Sequence, residues 1–201
     1  EIVTIESSRD RDKVVVSTGQ GNKQEFAKEA VLLETCSRCR YPNALYEDDR
    51  AGPPVDEPDR EETKPDWSDL EEYENLSDED KQASLERVYA TCVRCFACIH
   101  VCPVCVCWDR CANRSRQPEL VAQKVGAKEN LLFQMVHMFH VAGRCPSCGA
   151  CDRACPVEIP LWLLHRKMNK ELYDMFGFEA GTDLEQKPVF QLFDLADQFG
   201  D

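Results

Sequence analysis

The sequence predicts an α+β chain, mainly helical, built around two copies of one cysteine motif. The spacing C-x2-C-x2-C-x3-C-P occurs twice, ending at Pro103 and at Pro156. Apolar residues at helical spacing precede each copy and follow the second one. Two β-branched runs, IVTI from Ile2 and VVV from Val14, have the pattern of a short hairpin. The predicted hairpin accounts for the β-structure, and the predicted helices next to the cysteine motifs account for the α-structure.

Composition excludes several classes of function. The chain has 201 residues, of which 30% are charged, and a formal net charge of −13. Nucleic-acid binding needs a basic footprint, so no nucleic-acid partner is expected, whereas an acidic chain suits docking on basic protein surfaces. No apolar run has the length of a membrane span. Thirteen cysteines, an odd number at close spacing, favour metal binding over disulfides and indicate a reducing, hence cytoplasmic, setting.

The repeated motif is that of bacterial ferredoxins with two 4Fe-4S clusters. Three thiolates at every third position bind one cluster, and the fourth cysteine crosses to the other cluster. This predicts Cys92, Cys95, Cys98 and Cys155 as ligands of cluster 1. It predicts Cys145, Cys148, Cys151 and Cys102 as ligands of cluster 2. Zinc is the alternative metal, but zinc sites usually pair two C-x2-C units across a long spacer.

Five further cysteines lie outside the repeat. We expect a third metal site, either 4Fe-4S or zinc, with candidate ligands Cys36, Cys39, Cys105, Cys107 and Cys111. The alternative is buried thiols packed as small apolar groups. The four histidines, at positions 100, 137, 140 and 165, are expected to be packed or hydrogen-bonded and not ligands, because cysteine already fills the cluster valences.

The domain organisation follows from these motifs. Residues 1–46 are expected to form a hairpin and then a short helix that starts at Lys23, and the C-x2-C pair follows this helix. Residues 47–81, rich in acids and proline, predict an extended linker, or a strap that lies on a partner and is anchored by Trp67, Leu70 and Tyr73. Residues 82–180 form the predicted dicluster ferredoxin domain with an insert at 103–144. Residues 181–201 predict a tail that docks on a partner.

Three helices are expected in residues 77–177. The first begins at a Ser77 cap, and the second covers about 129–141. The third runs between Pro160 and Gly177. On the second helix the predicted apolar side is Leu132, Met135, Val136 and Phe139. On the third the predicted core stripe is Leu161, Leu164, Met168, Leu172 and Met175.

The span from Cys92 to Gly181 resembles the dicluster iron–sulfur β-like subunits found with formate dehydrogenases and hydrogenases of anaerobes. It carries CVRCFACIHVCPVCVCWDRC and, later, HVAGRCPSCGACDRACPVEIP, and the upstream CSRCRYPNALYED is also similar to a segment of that family. One departure is the C-x3-C spacing of Cys107 and Cys111, where the family pattern has C-x2-C.

The resemblance implies a relay of single electrons in a multi-subunit complex. The expected neighbours are a catalytic subunit, such as a molybdenum or tungsten formate dehydrogenase or a hydrogenase, and a heterodisulfide-reductase-like flavoprotein. The chain alone is not expected to be catalytic. No nucleophile-and-base pattern, phosphate loop or dinucleotide fingerprint is visible. The alternatives are an iron–sulfur subunit of a quinone-linked or benzoyl-CoA-type reductase and a scaffold with purely structural clusters.

Overall fold

The computed structural model describes residues 2–7, 13–54, 64–107, 110–115 and 124–191. The chain divides into two compact units, Glu1–Asp66 and Trp67–Asp201. The predicted tail residues from Leu192 onward lie outside the described residues, as does Trp108 between two of the candidate ligands.

The first unit contains a three-stranded antiparallel sheet. Its strands are β1 (Ile2–Ser7), β2 (Lys13–Thr18) and β3 (Lys23–Ala27), with β2 in the middle. The hairpin predicted from the two β-branched runs is confirmed as the β1–β2 pair. A tight turn joins β2 to β3, and Gly21 in it has φ of 82°, which glycine adopts without steric cost.

The helix predicted to start at Lys23 is wrong for its first part. Residues Lys23–Ala27 pair with β2 as a strand, with Phe26 opposite Val14, and only Lys28–Val31 (α1) is helical. The Lys13 ammonium also contacts the Glu25 carboxylate at 2.7 Å. The open edge of β2 supplies backbone partners that outweigh a weak local helix preference. A second short helix, α2 (Glu34–Ser37), leads into the C-x2-C pair.

The second unit begins with helical turns inside the range 47–81, for which the sequence predicted an extended linker. A 3-10 turn spans Ser68–Leu70, and α3 spans Glu71–Glu74. Leu70 is fully buried. The Arg166 guanidinium contacts the Asp69 carboxylate through two bonds of 2.9 Å and lies 4.3 Å from the centre of the Trp67 ring. These side chains therefore anchor the segment on its own chain.

Six further helices carry the rest of the second unit within the described residues. They are α4 (Asp78–Tyr89), α5 (Ala97–Val101), α6 (Ala112–Ser115), α7 (Ala127–Val141), α8 (Ala150–Arg153) and α9 (Trp162–Phe176). The three helices expected from the sequence are confirmed as α4, α7 and α9. The Asp80 amide donates to the Ser77 hydroxyl at 3.1 Å, which is the predicted cap. Gly177, with φ of 61°, ends α9.

The core of the second unit lies where α4, α7 and α9 meet the cysteine segments. Helix α7 packs on α4 and on α9, and α5 packs on α8. The largest fully buried side chains there include Tyr89, Phe133 and Leu172. No helix in the described part of the chain combines the length and apolar character that a bilayer crossing needs.

Two predicted apolar faces are corrected by the structure. On α7, Leu132 and Phe139 are exposed, and the buried face instead carries Asn130, Phe133, Gln134, His137, Met138 and Val141. In the α9 stripe, Leu161 and Leu172 are buried as expected, but Met175 is 62% exposed. The buried face of α7 is partly polar because it faces a cysteine segment, where polar side chains find backbone partners.

Candidate metal centres

Two cysteine loops have the same backbone conformation. The first loop is Cys92–Cys98, between α4 and α5, and the second is Cys145–Cys151, between α7 and α8. In each loop the residues two and four positions after the first cysteine lie in the left-handed region. They are Arg94 and Phe96 (φ 51° and 64°) in the first loop, and Ser147 and Gly149 (φ 55° and 66°) in the second.

This conformation prepares the backbone for a negatively charged group. Alternation of right- and left-handed residues turns successive N–H groups toward one concave side, as in many iron–sulfur and phosphate sites. A left-handed conformation costs a bulky residue such as Phe96 about 1–3 kcal/mol, and such strain concentrates at functional sites. Its occurrence at the same two positions in both loops identifies a shared local structure.

The first loop forms one side of a pocket. Cys92, Cys95 and Cys98 line it, and Cys155 reaches it from beyond the second loop. Apolar residues close the remaining walls, namely Phe96, Phe133, Val157, Ile159 and Leu161. Four thiol groups around one cavity, three from one loop and one from the other copy of the motif, are the donor set that a 4Fe-4S cluster requires.

The other four motif cysteines also lie near one another. The electrostatic neighbours of Cys145 include Cys102 and Cys148. Burial, together with the nearby Cys145 and Cys98, raises the pKa of Cys151 to about 12. The structure therefore brings Cys102 to the second loop, as the crossing pattern requires, and brings the two sets next to each other at Cys98 and Cys151. The assignment of individual ligands stays a prediction.

Burial keeps the thiols of Cys98, Cys145 and Cys151 protonated when no metal is bound. Together with neighbouring thiols, it raises the pKa of Cys98 and that of Cys145 to about 11. A bound cluster supplies positive charge that stabilises the thiolate forms. Cluster binding should therefore release protons, and the site should lose affinity as the pH falls.

Two asparagines hold the loops in equivalent ways. Asn130 on α7 donates to the carbonyl oxygens of Cys92 (2.9 Å) and Tyr89 (3.1 Å), and it accepts a bond from the Arg94 guanidinium (2.8 Å). Asn169 on α9 donates to the carbonyl oxygen of Cys145 (2.9 Å) and to the Ser147 hydroxyl (2.8 Å). In each case one asparagine binds the first cysteine of a loop and the left-handed residue two positions later.

Sequence reasoning missed these asparagines. The available signal was one asparagine in each of two later helices, Asn130 in α7 and Asn169 in α9. Its meaning depends on which helix packs on which loop. The internal repeat therefore extends beyond the cysteines and includes the supporting helices α7 and α9.

Two donors reach the sulfur atoms of the first set. The Gln134 amide donates to Cys92 Sγ at 3.5 Å, and the backbone N–H of Ile159 donates to Cys155 Sγ at 3.4 Å. Gln134 also hydrogen-bonds Cys98. Hydrogen bonds to cluster sulfurs stabilise the more negative, reduced state, so these groups help to set the potential.

The remaining cysteines divide between the two units. Cys36 and Cys39 are exposed in the first unit, where the Tyr41 amide donates to Cys39 Sγ at 3.4 Å. Cys105, Cys107 and Cys111 belong to the second unit. The Sγ atoms of Cys107 and Cys111 and a ring nitrogen of His140 lie within 4.8 Å of one another. Sequence reasoning did not include His140 among the candidate ligands.

Among the described residues, His140 is the histidine whose ring nitrogen groups with Cys107 and Cys111, and the other three histidines have other surroundings. His100 is exposed. His137 and His165 are buried, with ring centres 5.4 Å apart, so the expectation that they are packed is confirmed. Burial lowers the pKa of both rings to about 4, and each is neutral at physiological pH.

Comparison with known proteins defines the class of the cysteine-rich segment. Residues 88–159 match the model of the family described as a 4Fe-4S dicluster domain. This range contains all eight motif cysteines together with the five-residue helix after the first loop. Residues 88–159 therefore resemble a 4Fe-4S dicluster domain, which agrees with the two cysteine sets in the structure.

Several curated proteins are similar to this part of the chain. The "F420-dependent formate dehydrogenase subunit beta" of Methanocaldococcus jannaschii is 30% identical over 118 residues, covering 57% of this chain and 30% of that protein. The "F420-dependent formate dehydrogenase 1 subunit beta" of Methanococcus maripaludis is 33% identical over 126 residues, covering 59% and 30%. "Lactate utilization protein B" of Bacillus cereus is 30% identical over 105 residues, covering 52% and 21%.

The first two relatives, together with the match to the dicluster family, confirm the resemblance to the β subunits of formate dehydrogenases. The chain spans less than a third of the length of each of them.

Proposed function

We propose that the chain relays single electrons through two 4Fe-4S clusters as the iron–sulfur subunit of an oxidoreductase complex. Cluster 1 is bound by Cys92, Cys95, Cys98 and Cys155, and cluster 2 by Cys102, Cys145, Cys148 and Cys151. Each cluster supplies one-electron redox chemistry when bound. The chain itself provides no catalytic group and acts by holding, shielding and tuning the two centres.

The observation that carries this proposal is the interleaving of the two cysteine sets. Cys155 lines the cavity of the first loop, and Cys102 lies beside Cys145 of the second loop. Cys98 of one set lies near Cys151 of the other. Two centres held this close exchange electrons rapidly, whereas a structural staple needs only one centre.

The surrounding residues support reversible reduction. Phe133, Ile159 and Leu161 are almost fully buried and line the inner side of the first set, while Cys95 is exposed. Gln134 and the Ile159 amide donate hydrogen bonds to its sulfur atoms. An apolar wall lowers the local dielectric, and the two donors offset part of the cost of adding an electron there.

The proposed partners follow from the relatives and from the resemblance. Two relatives carry the name formate dehydrogenase subunit beta, so we propose a catalytic formate dehydrogenase subunit, with molybdenum or tungsten, on one side of the relay. A flavin-containing, heterodisulfide-reductase-like module is proposed on the other side, in the cytoplasm. The net charge of −13 supports docking on basic protein surfaces.

A complex that oxidises another substrate is the second candidate. The relative named for lactate utilization carries a similar segment, so the dicluster domain is not tied to formate. The quinone-linked and benzoyl-CoA-type reductases proposed from the sequence belong to the same alternative. In each of these complexes the chain would still be a relay.

The relay is tested on the full chain produced without oxygen, by a redox titration followed by electron paramagnetic resonance. We expect about eight iron atoms per chain and two reduced centres whose spins interact. The exposed Cys95 and Cys148 occupy equivalent positions in the two loops, so Cys95→Ala and Cys148→Ala are matched variants. Cys95→Ala should abolish the paramagnetic signal of cluster 1, and Cys148→Ala should abolish that of cluster 2. In each variant the remaining signal should no longer show spin coupling.

Intact clusters that no low-potential donor reduces would contradict the relay and support a structural role. The partner assignment has its own test, in which formate is added to the co-purified complex and reduction of the clusters is recorded. Reduction by lactate or by another substrate, with no response to formate, would overturn the formate assignment and leave the relay intact.

A further inference from the structure

The segment Cys105–Cys111, which follows the first motif, contains three cysteines that the dicluster pattern does not use. We propose that Cys107, Cys111 and His140, with Cys105 as the fourth ligand, bind one zinc ion. The ligand atoms of Cys107, Cys111 and His140 already lie within 4.8 Å of one another. This site lies within the second unit and goes beyond the relay proposed above.

Local structure brings the two cysteines together despite the unusual C-x3-C spacing. The Arg110 amide donates to the carbonyl oxygen of Cys107 at 2.7 Å, which holds the residue before Cys111 next to Cys107. Cys111 is then only 2% exposed and immediately precedes α6. The next residues hold this position, because Asn113 donates to the carbonyl oxygen of Phe133 on α7 at 2.9 Å.

His140 reaches the pair from the last turn of α7. Its ring is half-buried, and the Arg144 side chain bonds the His140 carbonyl oxygen, which fixes the end of the helix beside the segment. A thiol pair and an imidazole that converge from elements distant in sequence form a typical zinc donor set.

Cys105 is the natural fourth ligand. Its thiol hydrogen-bonds that of Cys107 and also lies near Cys111. The result is a Cys3His set, which is a common closed set in structural zinc sites. Zinc binds sulfur at about 2.3 Å and imidazole nitrogen at about 2.0–2.1 Å, so a small closure of the present arrangement completes a tetrahedron.

The geometry favours one ion over a third four-iron cluster. In a four-iron cluster each cysteine binds a different iron, so the ligand sulfurs surround a group much larger than a single ion. Here three ligand atoms already lie within 4.8 Å of one another, and one of them is a nitrogen. The set is also complete without Cys36 and Cys39, the candidates from the first unit.

The position of the site indicates what the ion does. The Cys105 amide donates to the carbonyl oxygen of Cys102 at 3.3 Å, and Cys102 is the crossing ligand proposed for cluster 2. An ion that fixes Cys105 and Cys111 to α7 would therefore hold Cys102 in place. Zinc does not change oxidation state, so the site positions the relay and carries no electron.

The experiment measures zinc and iron in the full chain purified without oxygen and treated with EDTA, together with the Zn K-edge X-ray absorption spectrum. We expect about one zinc per chain, with three sulfur ligands and one nitrogen ligand. In His140→Ala, zinc affinity measured by chelator competition should fall by more than the ~10–100-fold that loss of an outer-shell partner causes. His140→Cys should restore zinc with four sulfur ligands.

The controls distinguish this site from the alternatives. His100→Ala and Cys39→Ala change exposed residues and should leave zinc unchanged. Cys111→Ala removes a buried ligand, and the half-buried His140 provides the second variant if that protein does not fold. Any of three results would overturn the proposal. They are an unchanged zinc affinity in His140→Ala, a loss of zinc in Cys39→Ala, and about twelve iron atoms per chain with no zinc. The relay hypothesis is tested by iron content and spin coupling, whereas the zinc site is tested by zinc content and zinc ligation. A failure of the relay hypothesis can therefore be distinguished from a failure of the zinc-site proposal.

Discussion

The two cysteine loops share a backbone but are held in different ways. In the first loop Phe96 adopts the left-handed conformation and packs edge-on against Phe133, with ring centres 5.3 Å apart. In the second loop the equivalent residue is Gly149, which adopts that conformation without strain. Both loops make the same turns with different side chains, and the first loop lies against α7 through the Phe96–Phe133 contact.

The supporting asparagines show the same contrast. Asn130 is fully buried and serves three partners, whereas Asn169 is half-buried and serves two. The first loop therefore depends on tertiary packing, and the second depends more on its local sequence. Variants that affect one loop and spare the other test this difference.

The largest effect is expected from a crossing cysteine. Cys155→Ala should remove the centre of the first loop and leave that of the second, although Cys155 follows the second loop in sequence. Iron should fall from about eight to about four atoms per chain, and the spin coupling should disappear. Iron analysis and paramagnetic resonance measure this, with Cys39→Ala as the control. If the signal of the second loop's cluster is lost instead, Cys155 binds that cluster and is not a crossing ligand.

The next effect concerns the asparagines. Asn130→Ala leaves the buried carbonyl oxygens of Tyr89 and Cys92 without their donor, so the free energy of unfolding should fall by about 2–4 kcal/mol. Asn169→Ala should cost about 1 kcal/mol because water can reach its partners. Urea unfolding without oxygen measures both. Asn130→Asp keeps the size but removes the donor, and it should destabilise similarly. A stable Asn130→Asp protein would show that these bonds are not what holds the loop.

A smaller effect is expected at the left-handed position itself. Phe96→Gly should be about 1 kcal/mol more stable than Phe96→Ala, because both lose the ring contact but only alanine keeps the backbone strain. Gly149→Ala should cost about the same amount in the second loop. Thermal unfolding of the three variants is the measurement. Equal stability of the two Phe96 variants would mean that the turn relaxes and that the loops differ less than proposed.

The smallest effect concerns the potential of one centre. Gln134→Leu removes the amide bond to Cys92 Sγ, which favours the reduced state. The midpoint potential of the first loop's cluster should become more negative, on the order of tens of millivolts, while that of the second stays unchanged. A redox titration followed by paramagnetic resonance distinguishes the two signals, and Met135→Leu on the same helix is the control. Equal shifts in the midpoint potentials of both clusters would show that Gln134 does not act on the first loop's cluster alone.

Much of the second unit could be predicted from residues close together in the sequence. The cysteine spacing, the Ser77 cap and the stop at Gly177 each depend on a few neighbouring residues, and all three features are present in the structure. The strand at Lys23–Ala27 could not be predicted in this way, because its hydrogen-bond partners belong to β2. Local preference decides an element only where no neighbouring strand offers such partners.

The same limit applies to the candidate sites. Apolar periodicity selected Leu132 and Phe139 as the inner face of α7, but the inner face carries Asn130 and Gln134. Polar side chains are buried there because the carbonyl and sulfur atoms of the first loop accept their hydrogen bonds. His140 was missed for a related reason, since its candidate partners, Cys107 and Cys111, lie before α7 in the sequence.

The sequence by itself determined the chemistry of this protein: two sets of thiols at the spacing of four-iron clusters, with a proline after each set. This follows because three ligands of each cluster lie within one short loop, where spacing alone controls geometry. Only the tertiary structure decided which helices support those loops, which amide reaches a sulfur and which histidine meets the remaining thiols. Those contacts join residues far apart in the chain, and they form only when α7 and α9 pack against the cysteine loops.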